Sequence, residues 1–291
     1  MSSAAARTAT GPMVIVAVDQ HETPPLLMDS LARRIVPGVG RVAAALARWG
    51  PVRRSLISAT EKKIPGLWAS MLCRKRYIDD HLLTACHNGI DAVVILGAGF
   101  DTRAYRLPIP AHVPVYEVDL PGNVRAKRRR LARIYGAEPQ AVTLVAIDFE
   151  TQSLGDVLAQ HGYQGGRTFF VWEAVTQYLT EIAVRETFEF LADAEPGSQL
   201  AFTYIRKDFL DGTNMYGGEA AYQEFVLRRR LWHFGLAPEN VAGFLATYDW
   251  HEAEQAGADE LTLRYVAPSA RPLRVSEIER SVLAVKPSSD T

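Results

Sequence analysis

Several common signals are missing from this sequence, and each absence narrows the classes of protein to consider. Cysteine occurs twice, as Cys73 and Cys86, so we predict buried free thiols rather than a disulfide. No apolar run approaches the roughly 20 residues that span a membrane. Residues 13–18 form too short a run for a signal peptide, and Asp19 ends it. We therefore expect a cytoplasmic protein.

Signals of nucleic-acid, metal and acyl-enzyme chemistry are also missing. The formal net charge of −1 disfavours a chain that binds nucleic acid or a membrane surface as a whole. The seven histidines lack the spacing of paired metal ligands, and no Gly-x-Ser-x-Gly nucleophile turn is present. Hydrophobic residues make up 48% of the 291 residues, which is enough to bury the core of one large α/β domain.

The stretch at residues 92–107, AVVILGAGFDTRAYRL, is the centre of the predicted fold. Residues 92–96 form a short apolar run rich in β-branched residues, which is typical of a strand buried on both faces of a parallel sheet. The run ends at Gly97 and Gly99. Glycines at this position let the backbone turn sharply and let a ligand approach closely, although ordinary tight turns use glycine pairs too.

A second apolar run, residues 113–118, ends on Asp119. An acid at the tip of the second strand can accept hydrogen bonds from both hydroxyls of a ribose. An alternative role is to cap the helix that Pro121 would begin. A dinucleotide site would need a third glycine, but Thr102 stands there, and Asp101 puts negative charge where phosphates would lie. The pattern therefore favours a cofactor without phosphates, such as S-adenosylmethionine.

Four sequence blocks in this order carry a family resemblance: GAGFDTRAYRL, then YEVDLP with Lys127 downstream, then AIDFE, then FVWEAVTQYLT. With them the chain resembles the leucine carboxyl methyltransferase family of class I S-adenosylmethionine-dependent methyltransferases, over about residues 26–286. The family includes carboxyl methyltransferases that act on proteins and polyketide O-methyltransferases. The resemblance implies S-adenosyl-L-methionine as the cofactor and a small-molecule acceptor, with a protein C-terminal carboxylate as the alternative.

The expected architecture is α/β, with a Rossmann-like, doubly wound, seven-stranded sheet whose last strand is antiparallel. We predict an N-terminal tail and helical cap over residues 1–89, with the tail disordered at least to Gly11, and the cofactor-binding core over 90–291. A helical lid is expected near 206–240. Residues 261–266 alternate like a strand, but the family places a helix there, and we follow the family. The predicted strands are 92–97, 113–118, 142–147, 168–172, 198–204, about 248–252 and 280–286, with helices at 121–135, 153–161 and 180–194 between them.

The resemblance also implies roles for further residues. Arg74 would pair with the carboxylate of the cofactor's methionine part, and Glu173 would bind its ammonium group. Asp148 would bind the adenine amino group, with Phe149 beside the ring. Without the family, Arg74 belongs to a run of cations that is usually a solvated helix face, and Asp148 is a strand-end cap. Lys127, like the rest of its basic run, is expected on such a solvated face.

Neighbouring charges are expected to brace the site rather than to touch a ligand. Glu117 is predicted to pair with a nearby arginine, and Arg103 and Arg106 to act through Asp101 and Glu117. The basic run at residues 228–230 is also expected to be a solvated face, although an acidic substrate or carrier could be drawn to this run or to the one at residues 127–130.

The sequence says less about the residues that would bind the methyl acceptor than about those that would bind the cofactor. Aromatic residues in the lid favour a small-molecule pocket, and the candidate substrate-side residues are Tyr178, Tyr204, Arg206, Tyr216 and His233. Each is equally compatible with core or lid packing. No compelling base lies near the motif blocks, so methylation of a carboxylate, which is already ionised near neutral pH, is favoured over methylation of a hydroxyl. A non-catalytic cofactor-binding module, an NAD enzyme and a homodimer remain open.

Overall fold

A computed structural model describes residues 10–137, 139–148 and 151–288, and within them eight strands form one sheet. The strands are β1 (Ala92–Leu96), β2 (Val115–Asp119), β3 (Val142–Ala146), β4 (Thr168–Trp172), β5 (Gln199–Arg206), β6 (Gly235–Leu236), β7 (His251–Ala256) and β8 (Glu279–Val285). Seven follow the order β3-β2-β1-β4-β5-β8-β7, and β6 pairs with β5. The last strand, β8, is antiparallel to β5 and β7. The predicted doubly wound fold is confirmed, with the two-residue strand β6 as an unpredicted eighth.

Helices cover both faces of the sheet. They are α1 (Thr10–Asp19), α2 (Ala32–Ile35), α3 (Gly38–Leu46), α4 (Gly50–Lys63), α5 (Leu67–His87), α6 (Arg103–Arg106), α7 (Pro121–Tyr135), α8 (Leu154–Gln160), α9 (Glu181–Ala192), α10 (Lys207–Leu210), α11 (Glu219–Ala221), α12 (Val241–Ala246) and α13 (Ala258–Leu261). Helices α7, α8 and α9 lie where the sequence predicted them. No helix in the described part of the chain has the length and apolar character needed to cross a membrane.

The pleat of β1 explains how the two cores form. Successive side chains of a strand point to opposite faces. Val93 and Ile95 therefore join the core that contains α1 and α5, whereas Val94 and Leu96 join the core that contains α9. Strands β1 and β4 are buried along their whole length, as the continuous apolar runs predicted. The order of the strands reverses between these two, which opens a crevice at their carboxyl ends.

The N-terminal segment differs from the expectation of a polar tail disordered at least to Gly11. Helix α1 begins at Thr10 and runs to Asp19. Met13, Val16 and Val18 on this helix are almost fully buried. The predicted disorder was wrong for residues 10 and 11, because the apolar run at 13–18 packs into the main core and stabilises a helix that its terminal position argued against.

The segment after β5 is only partly helical. It contains α10, α11 and a π-helical turn, Tyr222–Arg228, before the chain returns to β6. Near the C-terminus, α13 continues into a second π-helical turn, Thr262–Val266. Residues 261–266 are therefore helical, as the family resemblance implied and the alternating pattern did not.

Candidate functional site

The glycine turn after β1 holds the backbone in a conformation that suits glycine. Gly97 has φ of +69° and Gly99 has φ of +44°, both in the left-handed region. A Cβ atom on Gly97 would lie 2.3 Å from Cγ2 of Val175. Gly97 and Ala98 both donate their N–H groups to the carbonyl of Val118 on β2. The turn is therefore fixed against the neighbouring strand and leaves no room for a side chain at Gly97.

Asp119 ends β2 with its carboxylate turned towards this turn. Its Oδ2 accepts the Gly99 N–H at 2.5 Å, and its Oδ1 accepts from the Leu120 N–H and from Asn123 Nδ2 at 2.6 and 2.8 Å. The residue is 6% exposed and lines a cavity that opens above the glycine turn. A carboxylate has about four lone-pair positions, and three of these are used, so one position on Oδ2 remains to accept from a ligand hydroxyl. It does not cap α7, whose N-cap residue is Leu120.

Glu173, just after β4, is the centre of a buried charge cluster. Its carboxylate accepts from Arg103 at 2.7 Å, from Arg74 at 2.9 Å and from Lys75 at 3.2 Å. Burial alone would raise the pKa of Glu173, but the attraction of Lys75, Arg103 and Arg74 lowers it to about 2. The group is therefore ionised at neutral pH, and three cations hold it in place.

Two further carboxylates balance the cations. Arg74 Nη1 donates to Glu279 on β8 at 2.5 Å. Asp101 lies 3.3 Å from Arg103 and 3.6 Å from Lys75. Burial would raise the pKa of Asp101, but Arg103 and Lys75 lower it below its usual range. These three cations thus pair with Glu173, Glu279 and Asp101, and Arg103 also pairs with a fourth carboxylate, that of Asp79, at 3.3 Å.

A cavity of about 640 Å³ opens above the glycine turn and the charge cluster. Its polar wall holds five of the predicted cofactor-binding residues together. These are Arg74, Gly97, Gly99, Asp119 and Glu173. The remaining wall is mostly apolar and comes from α1, α4 and the segment after β5. The cavity therefore has a charged end and an apolar chamber.

The apolar chamber contains a few polar atoms that lack partners. Gln177 is 3% exposed, and its Oε1 has no hydrogen-bond partner among the described residues. The same holds for Nε1 of Trp232, whose ring stacks on Phe225. Arg229 also lines the cavity, and its nearest carboxylate, that of Glu224, is 3.8 Å away. Unpaired buried polar atoms are rare in folded proteins and indicate a missing partner.

The substrate-side candidates separate into two groups. Tyr178 lines the cavity. Tyr204, Arg206, Tyr216 and His233 are not among the residues of its wall: Tyr204 is fully buried and donates to Gln255, and Arg206 pairs with Glu277 at 2.8 Å. Tyr216 donates its hydroxyl to Asp208, and the backbone of His233 bonds to Gln177. The structure therefore brings only Tyr178 of this set to the cavity.

Asp148, which was predicted to bind the adenine amino group, is not among the described residues that line the cavity. Asp148 is exposed after β3, with its N–H bonded to Gln152 Oε1 at 2.9 Å. Phe149 lies outside the described residues.

The pairing predicted for Glu117 was wrong. Its carboxylate pairs with Lys127 Nζ at 2.7 Å and accepts from Tyr105 at 2.9 Å. Lys127 is 2% exposed, so it does not lie on a solvated face. Arg103 pairs with Asp101, as predicted, and also with Glu173, whereas Arg106 reaches Asp79 at 2.5 Å instead of Asp101 or Glu117. Burial raises the pKa of Glu117 despite its Lys127 partner.

Sequence reasoning missed several residues of the cavity. It treated Lys75 only as a neighbour of Arg74 in the same basic run, and it gave Glu279 no role. Gln177 and Trp232 were not predicted as ligand contacts, and Arg229 was considered only as a member of the basic run to which an acidic substrate could be drawn. The FVWEAVTQYLT block does contain Gln177, so its position four residues after Glu173 was an available signal for that residue. No described group of three or more metal-ligating side chains forms a metal site.

The chain is similar in sequence to known proteins. A family model described as leucine carboxyl methyltransferase matches residues 9–192. A protein of Mycobacterium avium, named as an inferred S-adenosyl-L-methionine-dependent methyltransferase, is 40% identical over 139 residues, which cover 46% of each chain. A protein of the same name from Mycolicibacterium gilvum is 32% identical over 209 residues, covering 70% of this chain and 67% of the relative. The matches span about half the length of most of these relatives.

The fold also has relatives among solved structures. A crystal structure of a proposed methyltransferase from Thermobifida fusca aligns with a TM-score of 0.55 and 17% sequence identity, covering 81% of this chain and 89% of the other. At this level of identity the likeness concerns the fold alone.

Proposed function

This chain belongs to the leucine carboxyl methyltransferase family, and we propose that it is an S-adenosyl-L-methionine-dependent O-methyltransferase that acts on a small acceptor. The observation that carries the proposal is the joint position of Gly97, Gly99, Asp119, Arg74 and Glu173 on the wall of one cavity. These residues match, in type and order, what a nucleoside joined to an amino acid requires.

The charges at the polar end support this cofactor. The amino acid part of S-adenosyl-L-methionine carries one ammonium and one carboxylate, so its net charge is zero. The buried cluster of cations and anions around Arg74 and Glu173 can exchange some of its internal contacts for that pair. A pyrophosphate would instead bring two negative charges towards Asp101 and Asp119, which also line the cavity. The wall therefore fits a zwitterion better than a dinucleotide.

The cofactor, when bound, would supply a methyl group on a positively charged sulfur. The chain's own residues would hold the acceptor in line with that carbon and exclude water, which accounts for much of the acceleration in such a displacement. Asp119 would fix the ribose, and Arg74 with Glu173 would fix the amino acid part. The apolar side chains of the chamber would keep the reacting atoms dry.

The residues that line the apolar chamber suit a small, largely apolar acceptor that carries a carboxylate. Arg229 and the N–H of Trp232 can bind oxygen atoms of such a group. No histidine lies among the described residues that line the cavity, and an ionised carboxylate needs no general base. A hydroxyl acceptor, for example on a polyketide, would need a base.

The test is a methyl-donor assay with S-adenosyl-L-methionine across aromatic carboxylic acids, phenols and peptides with free C-termini. We expect methyl ester formation on a carboxylic acid. Transfer to peptides alone would instead favour the protein carboxyl methyltransferases. Tight binding of S-adenosylhomocysteine with no transfer to any acceptor would indicate a non-catalytic module, and binding of NAD without S-adenosylhomocysteine would contradict the proposal.

A matched pair of variants sharpens this assay. Arg229→Ala should raise KM for the acceptor by about tenfold or more, because the chamber loses a cation. Arg228→Ala removes the same charge from a side chain that is 75% exposed and outside the cavity, and it should leave KM unchanged. Both variants should bind S-adenosylhomocysteine like the unmodified chain.

A further inference from the structure

A second cleft lies between the N-terminal helices and α7, away from the cavity described above. It encloses about 770 Å³. Six arginines line it, with His21 as a seventh basic side chain, and no carboxylate is among its described lining residues. The arginines are Arg33 and Arg34 of α2, Arg41 of α3, Arg48, and Arg130 and Arg133 of α7. We refer to it as the arginine cleft.

The arginines of this cleft are not neutralised by the described part of the chain. No aspartate or glutamate described in the structure lies within 4 Å of any of the six. Arg34 donates instead to the carbonyl of Ile134 at 2.9 Å. This differs from the other cavity, where each buried cation of the cluster has carboxylate partners.

Arginines from the N-terminal helices and from α7 line the same cleft. The pKa of Arg130 is lowered by burial and by its neighbours Arg133 and Arg41. Arg41 belongs to α3 and Arg130 to α7, so the positive charges converge across the cleft. Like charges that converge without a counter-ion are unfavourable and create a strong local potential for anions.

The sequence explains how a local excess of positive charge occurs in a chain whose formal net charge is −1. From Ser30 to Thr60 the chain has six arginines and no acidic residue. Arg53 in this segment is paired with Glu22 at 2.6 Å, but Arg33, Arg34, Arg41 and Arg48 face the cleft. The net charge of the whole chain therefore does not show the excess of positive charge in this segment.

We propose that the arginine cleft binds a multiply charged, phosphate-bearing ligand. A phosphate carries up to two charges and three acceptor oxygens on one centre, so guanidinium groups can bind it from several directions at once. A guanidinium is planar and donates to phosphate bidentately. A single carboxylate has one charge and two oxygens, and it would leave most of the six arginines unpaired.

The phosphate can come from a soluble ester or from a phospholipid headgroup. An apolar stripe lies next to the cleft on the exposed side of α3. Its members are Val39, Val42, Leu46 and Trp49, exposed to between 58% and 85%. Arginines beside exposed apolar side chains are typical of surfaces that rest on anionic lipid, so the experiment needs one arm for each source.

The first arm measures calorimetric binding of inorganic tripolyphosphate to the full chain. We expect saturable binding that weakens by about tenfold or more in the double variant Arg41→Ala/Arg133→Ala. The matched control is Arg167→Ala/Arg185→Ala, which removes two charges from exposed sites outside the cleft. It should bind like the unmodified chain. Thermal unfolding checks the fold, because loss of like-charge repulsion should leave the melting temperature of the first variant equal or higher.

The second arm measures sedimentation with vesicles that contain phosphatidic acid, whose headgroup is a phosphate monoester, and with neutral phosphatidylcholine vesicles. Binding to anionic vesicles that both Arg41→Ala/Arg133→Ala and Trp49→Ser abolish assigns the headgroup as the source. Tripolyphosphate binding that Trp49→Ser leaves unchanged assigns a soluble ligand. Either result supports the proposal. It is overturned if neither probe binds, if the cleft and control variants behave alike, or if polyglutamate binds as tightly as tripolyphosphate.

Discussion

The N–H of Gly99 donates to Oδ2 of Asp119 at 2.5 Å, which joins the glycine turn of one strand to the tip of the next. The two residues come from separate sequence blocks and meet because β1 and β2 are parallel neighbours. The bond orients the carboxylate towards the cavity, and one lone-pair position on Oδ2 remains for a ligand. The carboxylate and the glycine turn can therefore each be tested by substitution, at Asp119 and at Gly97.

Asp119→Ala should weaken binding of S-adenosylhomocysteine by about tenfold or more, because the ribose hydroxyls lose a charged acceptor. Asp119→Asn is the conservative control. It retains one acceptor oxygen, so its loss should be smaller. Calorimetry on both variants, with circular dichroism to confirm the fold, measures the effect. Unchanged affinity in Asp119→Ala would remove this residue from the cofactor site.

Gly97→Ala should destabilise the protein through two separable effects. The positive φ costs about 1 kcal/mol or more in any L-residue, and the new Cβ would clash with Val175. Gly136→Ala is a matched control, since Gly136 has φ of +82° and a Cβ added there would have no atom within 4 Å, so it should show the backbone cost alone. Adding Val175→Ala to Gly97→Ala should recover the steric part. Equal losses of unfolding free energy at Gly97 and Gly136 would contradict the close packing at the turn.

Glu173 should make stability depend on acid pH. Its pKa is about 2 in the folded protein against an ordinary value of 4.5. Its stabilising contribution is thus complete above about pH 5 and is lost as the pH falls towards 2. A shift of this size corresponds to about 3 kcal/mol. The difference in unfolding free energy between the unmodified chain and Glu173→Gln, measured by denaturant at several pH values, should shrink between pH 5 and 3. A constant difference would show that Glu173 is not held ionised by its three cations.

The sequence predicted the parts of the fold that depend on local pattern. Short apolar runs that end in glycine or acid located β1, β2 and β4, and the strand ends located Gly97, Asp119 and Glu173. The position of each of these residues at a strand end could be predicted from its immediate neighbours in the chain. The carboxyl edge of a parallel sheet then brings such strand ends together.

Contacts between distant segments could not be read in this way. Arg74 and Glu279 are 205 positions apart, and nothing in either segment indicates the other. Helix α1 was missed because burial in the core, rather than helix propensity, stabilises it. Lys127 was assigned to a solvated face because basic runs usually lie there, whereas one member of this run turns inward to Glu117.

That inward pair leads to a prediction about stability. Glu117 and Lys127 are 1% and 2% exposed in their side chains, and 2.7 Å separates their charged atoms. Lys127→Met should destabilise the protein by about 3–5 kcal/mol, because it leaves the Glu117 carboxylate buried without its cation. The double variant Glu117→Gln/Lys127→Met removes both charges and should recover most of that loss, since the glutamine can still bond to the hydroxyl of Tyr105. Arg129→Met on the exposed side of the same helix is the control and should cost much less. Denaturant unfolding of the three variants measures this, and a double variant no more stable than Lys127→Met would show that Lys127 acts through its packing and not through its charge.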